Sequence, residues 1–322
     1  MSYKTDIEWT DATWNPLAGC SIVSPACTNC YAMAQAARIV RCAAGLGRAT
    51  HYADTVTTVK GTPVWTGEIR AAPDHVLTQP LRWWRPRRIF VNSMSDLFHE
   101  AVPDAWIDRI FAVMAHAPQH TFQVLTKRPE RMRAYLTDSK AEERIAGELL
   151  AHASKWGVTG TTLLAALGIR QREEEPERVP LPLRNVWLGV TAEDQPRADD
   201  RIPIVLDTPA AKRFVSIEPM LGAVDLTELT IKKRVGEHCF SALECDVDAA
   251  DDEWGGAILD WVICGGESGP DARPMHPDWV RSLRDQCAAA GVPFFMKQMS
   301  GARKIDRDAI PSDLFIREFP NA

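Results

Sequence analysis

Six short apolar runs, each breaking off abruptly into polar residues, constrain the fold of this chain more than any other feature. They are RRIFVNSMSD (87–96), TFQVLTKRP (121–129), NVWLGVTAED (185–194), KRFVSIEP (212–219), LDWVICGGESG (259–269) and VPFFMKQ (292–298). Apolar runs of this kind, without alternation, suit strands covered on both faces, as in a parallel sheet. Amphipathic stretches lie between them. Ile107, Ile110, Phe111 and Met114 share one helical face behind Pro103, and Val280, Leu283 and Cys287 share another between Pro277 and Gly291. Weaker strands are read at IEWTDATWN (7–15) and PVWTGEIRAA (63–72). Strands alternating with helices in this way predict an α/β fold of the (β/α) barrel kind, complete or partial and TIM-like. A single domain over residues 1–322 is expected.

Two stretches break the rhythm. Residues 137–182, which include EEEPERVPLP near their end, read as a helical insertion with a Pro-rich connector, and residues 231–256, containing DVDAADDE, read as an acidic loop. The N-terminus lacks the basic start and apolar run of a signal peptide. No stretch approaches the roughly 20 apolar residues of a membrane span, so a cytoplasmic protein with no membrane partner is expected. The net charge of −6 advertises no general affinity for nucleic acid. One segment, Arg82-Trp83-Trp84-Arg85-Pro86-Arg87-Arg88, does combine rings that stack on bases with charges that meet phosphates. Its plainer reading is a helix end whose charges complement the dipole while its tryptophans pack inside.

Of eight cysteines, Cys42, Cys239, Cys245, Cys264 and Cys287 are scattered, and no disulfide framework is expected in a reducing compartment. The other three, Cys20, Cys27 and Cys30, are bunched in WNPLAGCSIVSPACTNCYA (14–32). Three thiolates on an iron–sulfur cubane leave one iron open to an outside ligand. A structural zinc would need a fourth protein ligand, and only His51 lies near in sequence. From spacing alone, a cluster, a zinc knuckle and no metal all stay open.

The context NP-x-x-GC…C-x-x-CYA resembles the cluster loop of radical SAM proteins related to the spore photoproduct lyase group. Together with LTKRPERM, WLGVTAEDQ, SIEPMLG, DWVICGGESGP and ARPMHPDWVRSLRDQC, it also resembles a family of uncharacterised phage and bacterial proteins known for this three-cysteine motif. That likeness runs from about Trp9 to Gln298. Two features depart from the usual radical SAM pattern: six residues instead of three separate Cys20 from Cys27, and Asn29 stands where an aromatic residue usually precedes the last cysteine. The resemblance implies a radical-SAM-type barrel with a [4Fe–4S] cluster on Cys20, Cys27 and Cys30. It further implies S-adenosylmethionine as cofactor and a flavodoxin- or ferredoxin-like electron donor. The implied substrate is a nucleic-acid base or nucleotide undergoing modification or repair. A small metabolite or peptide as substrate, or a non-enzymatic zinc-stabilised binding protein, is the alternative.

In a barrel the C-terminal strand ends converge on one face. Here they carry Asn92, Ser93 and Asp96, then Lys127 and Arg128, then Glu193, Glu218 and Glu267, with Lys297 beside them. Charges set directly after buried runs are costly unless paired or used. Lys127 or Arg128 suits the carboxylate of S-adenosylmethionine, and Glu193 or Glu218 its ribose or ammonium. The glycines of Gly265-Gly266-Glu267-Ser268-Gly269 would let backbone approach a ligand. Taken singly, each acid here also reads as a helix cap. No catalytic residue is identified from sequence.

Overall fold

The computed structural model describes residues 5–157, 178–232, 237–244, 256–301 and 310–321. Seven parallel strands form one sheet: β1 (Ala12–Trp14), β2 (Arg88–Val91), β3 (Thr121–Thr126), β4 (Val186–Thr191), β5 (Lys212–Ile217), β6 (Trp261–Cys264) and β7 (Phe294–Met296). Their order in the sheet is their order in the chain. This is barrel winding, because a doubly wound sheet reverses at a switch point. No pairing joins β7 to β1, so the barrel is partial.

Alternation along the strands sorts side chains into two cores. Ile89, Val91, Val124, Leu188, Val215 and Val262 face outward, against α2 (Asp104–Ala115), α3 (Pro129–Leu136), α4 (Ala141–Trp156), α5 (Gln195–Leu206) and α6 (Pro277–Ala290). Their neighbours Phe90, Trp187, Phe214, Trp261, Ile263 and Phe295 face inward and gather around Trp9. The Trp9 ring lies 4.6 Å from Phe90 on β2, 6.5 Å from Phe214 on β5 and 6.2 Å from Trp261 on β6. In a flat sheet β2 and β6 would stand roughly 19 Å apart, at about 4.8 Å per strand. One ring can touch both only because the sheet curls around it.

The expected eighth strand at 63–72 is absent from the sheet. Thr62–Trp65 pairs antiparallel with Val56–Val59, and Arg70–Ala71 with Leu17–Ala18. The cause is local: Lys60 and Gly61 both adopt positive φ, the tight hairpin turn that folds the chain back on itself. The C-terminal segment covers the outer edge of β7 instead. Met296 N–H donates to Ile316 O, Glu318 N–H to Phe294 O, and Arg317 reaches Glu8 at 2.7 Å.

Within the expected insertion at 137–182, α4 is helical as read, and residues 158–177 lie outside the described residues. Part of the acidic stretch is a hairpin, with Leu229–Lys232 paired to Glu237–Phe240, while residues 245–255 lie outside the described residues. Among the described residues, no helix is long and apolar enough to cross a membrane.

The curled interior leaves no room at Gly189 in β4, where a Cβ would come within 2.6 Å of the Phe214 ring. Gly189→Ala is therefore expected to destabilise the fold by about 1–3 kcal/mol through overpacking. Urea unfolding monitored by tryptophan fluorescence reads this directly, and an unchanged midpoint would contradict a rigid aromatic interior.

Candidate functional site

The chain leaves β1 and enters the cysteine loop at once. Gly19 turns it at φ +95, where any side chain would strike Glu68 O at 2.0 Å. Pro25–Cys27 forms a 3-10 turn, and Cys30 is the N-cap of α1 (Tyr31–Gly45). Ala32, Met33 and Ala36 on α1 pack against Tyr52, Trp65 and Met94, with Cys20 and Cys30 at the edge. The segment that stays out of the main sheet thus backs the loop.

Cys20, Cys27 and Cys30 all line one cavity of about 190 Å³ at the C-terminal ends of the strands. Its apolar floor includes Trp9, Phe90 and Leu125. Of the strand-end residues expected there, Asn92, Ser93, Asp96, Lys127, Arg128, Glu218 and Glu267 line it, and Glu193 does not. Glu193 is fully buried behind the cavity and pairs with Arg201 at 2.9 Å. Burial pushes its carboxyl up, but Arg201, with the Ser24 hydroxyl and Lys127, outweighs this and holds it below the usual carboxylate range. The Glu193 pairing follows from α5, whose Asp194 N-cap turns the chain so that Arg201 can reach back to Glu193.

Two further residues at the cavity are committed to structure. The Arg128 Nε donates to Glu100 at 2.9 Å, and Nη1 donates to Asp96 at 3.0 Å. Nη1 also lies 3.8 Å from Cys20 Sγ, and Nη2 donates to Ser21 Oγ at 2.7 Å. Asp96 also accepts from Thr126 Oγ1 and from the backbone N–H groups of Phe98 and Lys127. His99 joins this set. Its Nδ1 accepts from Ala101 N–H, which leaves the proton on Nε2, 2.9 Å from Ser21 Oγ. Burial first, and then the Arg128 charge, keep that imidazole below its usual range.

The other side of the loop has its own clamp. Asn29 Nδ2 donates to Glu267 Oε2 and Asp271 O, each at 3.0 Å. Arg273 Nε donates to the same Glu267 oxygen at 2.9 Å, while its Nη1 reaches Pro25 O at 3.0 Å. Burial pushes the Glu267 carboxyl up, but the Arg273 and Asn29 hydrogen bonds bring it below the usual range. Asn29 thus ties the loop, through its side-chain amide, to the segment after β6. Glu218 pairs with Lys297, and the Ser93 hydroxyl with Asn15. Among the described residues, three groups at the cavity lack a partner: the buried Asn92 Nδ2, on a residue at φ +59, the buried Trp9 Nε1, and the Lys127 ammonium, which has no ion pair or hydrogen bond.

Among the described residues, no three His, Cys, Asp or Glu side chains converge closely enough to hold one metal ion. Cys20, Cys27 and Cys30 nonetheless open onto one shared cavity, which is what a cubane asks for, since each cysteine would take a different iron. His51 lies against Tyr52 with the ring planes tilted at 41°, in a neighbouring cleft, and does not line the cysteine cavity. Burial, and next the Asp96 charge, push the Cys20 thiol up to about 12. Metal binding there would therefore release a proton.

The Trp–Arg segment at 82–88 leads into the N-terminal end of β2, the end opposite the cavity. Trp83 is buried with Arg87 over its ring, while Trp84 is 78% exposed with Arg85 over it. It provides no contact at the mouth. His276, near the glycine turn, caps α6 by accepting from Asp278 N–H.

The chain belongs to a family described as a protein of unknown function, DUF5131, whose model matches residues 4–312. No curated protein and no solved structure matches it.

Removing Arg128 would leave Asp96 buried and unpaired. Arg128→Ala is therefore expected to cost about 3–5 kcal/mol in unfolding experiments. Wild-type stability would contradict the clamp. Glu193 makes a separate pH prediction. Its depressed pKa adds stability that is complete above the unfolded value of about 4.3 and is lost as pH falls through the lower folded value. Glu193→Gln should flatten the acid limb of unfolding free energy against pH below about 4, and an unaltered limb would contradict the pairing.

Proposed function

For this member of the family, we propose a radical SAM enzyme in which Cys20, Cys27 and Cys30 would hold a [4Fe–4S] cluster with one iron open to S-adenosylmethionine. The observation that carries it is the spread of three cysteines around one cavity at the C-terminal mouth of a partial (β/α) barrel. Reduced by a flavodoxin- or ferredoxin-like donor, such a cluster supplies one-electron cleavage of the sulfonium to methionine and a 5′-deoxyadenosyl radical.

The residues of the chain have separate tasks. Arg128 on one side and the Asn29–Glu267–Arg273 set on the other hold the loop, so the thiols need little rearrangement. Lys127 suits the cofactor carboxylate, being a cation whose ammonium has no hydrogen bond or ion pair among the described residues. Glu218, beside Lys297, suits the ammonium or the ribose hydroxyls. The Asn92 Nδ2 offers one buried donor. The Trp9 and Phe90 floor gives a flat ring an apolar surface from which water is excluded. The proposed substrate is a nucleic-acid base or nucleotide. The segment at 82–88 lends that no support from the far end of β2.

Anaerobic reconstitution should give about four iron and four sulfide per chain with broad visible absorption. Alanine at Cys20, Cys27 or Cys30 should abolish this, and Cys287→Ala should not. The reduced protein should convert S-adenosylmethionine to 5′-deoxyadenosine and methionine. Lys127→Ala should weaken cofactor binding in calorimetry at unchanged iron content. Stoichiometric zinc with no iron, or a cluster form that binds no S-adenosylmethionine, overturns the proposal.

A further inference from the structure

A second cleft, of about 1630 Å³, opens off the cysteine cavity, between the β1 end at Thr13 and Asn15 and the β7 end at Lys297. It shares Cys30, Tyr31, Ser93, Glu218 and Lys297 with that cavity. Small-molecule pockets measure roughly 300–1,000 Å³. A cofactor in the cysteine cavity would leave the larger cleft free, and a metabolite would fill little of it.

Helix α1 forms one wall. Tyr31, Gln35 and Arg38 stand at i, i+4 and i+7, with Arg41 one turn further along. The Tyr31 ring is 48% exposed, yet its hydroxyl donates to Ser93 O at 2.7 Å, so the ring is held in place. Arg38 and Arg41 are exposed, and among the described residues neither has a carboxylate partner. Arg70 and Arg178, also exposed, are ion-paired, whereas Arg48, Arg82, Arg85 and Arg184 share with Arg38 and Arg41 the lack of a carboxylate partner among the described residues; what sets Arg38 and Arg41 apart is that both line this cleft. Two more rings line the cleft: His51 lies 4.5 Å from the Tyr52 ring with the planes tilted at 41°, and burial, with His75 adding to it, holds the His51 imidazole below the usual range. Two unpaired cations one helical turn apart, a fixed exposed ring and further rings in the lining match an anionic chain that carries flat groups.

We infer that this cleft seats a single strand of nucleic acid. Phosphates lie on Arg38 and Arg41, bases lie along Tyr31 and His51, and one base reaches the cysteine cavity. The inference rests on the radical reading for its reaction but not for its binding. A duplex could present one only after unpairing and unstacking it, a cost that a single strand largely avoids.

The test uses the reconstituted full chain and dye-labelled single-stranded DNA and RNA of about 12 nucleotides, within the usual site sizes of roughly 4–16. Anisotropy titrations across a salt series should show affinity falling as salt rises. Arg38→Ala with Arg41→Ala should reduce the log–log slope by about 1.4, roughly 0.7 for each phosphate no longer neutralised. Arg85→Ala with Arg87→Ala, at the opposite end of β2, should leave the slope unchanged. No wild-type binding at about 50 mM salt overturns the inference, as does a slope that only the Arg85 and Arg87 pair alters. Equal competition by a duplex of the same length also overturns it. Iron and sulfide assayed on the same samples separate the two proposals. A complete cluster without strand binding removes only the cleft assignment, and strand binding by protein that takes up no iron removes only the radical reading.

Discussion

The Arg128 guanidinium lies between Asp96, Glu100 and Ser21, so the end of β3, the loop after β2 and the cysteine loop meet at one charge. Burying this cation is unfavourable unless its donors are answered, and Nε and both terminal nitrogens find acceptors. The answering groups come from separate segments, so each is positioned by the others. Asp96 is equally committed, with bonds to the side chain and backbone at the end of β3. A point charge on a flexible stem could neutralise Asp96, but it could not hold three partners at fixed angles.

Beneath that clamp, the interior changes character along the strands. Trp9, Trp187, Phe214 and Trp261 fill the lower part of the concave face. Above them Ser216 makes room, and at the top stand Lys127, Glu218 and Lys297. The aromatic layer fixes the curvature, and the curvature brings the polar layer to one place. A charged residue at a strand end is ordinary in a flat sheet. It acquires neighbours of both signs only when several strand ends point into the same space.

These two levels differ in how far they can be read from sequence. The six strong strands are legible because both of their faces are covered, which leaves an unbroken apolar run as a mark. The segment at 63–72 looks like one strand and splits into two short ones, the first of which takes its partner from the turn at Lys60–Gly61, which hydrophobicity does not report. The cysteine trio is legible as spacing. Its anchors are not: Asn29 and Glu267 stand 238 positions apart, and neither residue carries a local sign of the other. Strand-end charges are legible in place more than in role, since Asp96, Arg128 and Glu193 are consumed by ion pairs with residues that no local pattern marks. The segment at 82–88 has the composition of a nucleic-acid contact, but composition says nothing about which end of a strand it adjoins.

The missing link between β7 and β1 has a topological consequence. A closed ring of strands can be entered only along its axis, so a long polymer would have to offer a free end or a sharply extruded loop. Here the C-terminal segment runs along β7 from Phe294 to Met296, and Phe319 lies against Trp261. The two edge strands themselves are not joined. A slotted cup of this kind can take a continuous thread sideways at any point along its length and let it go without unthreading.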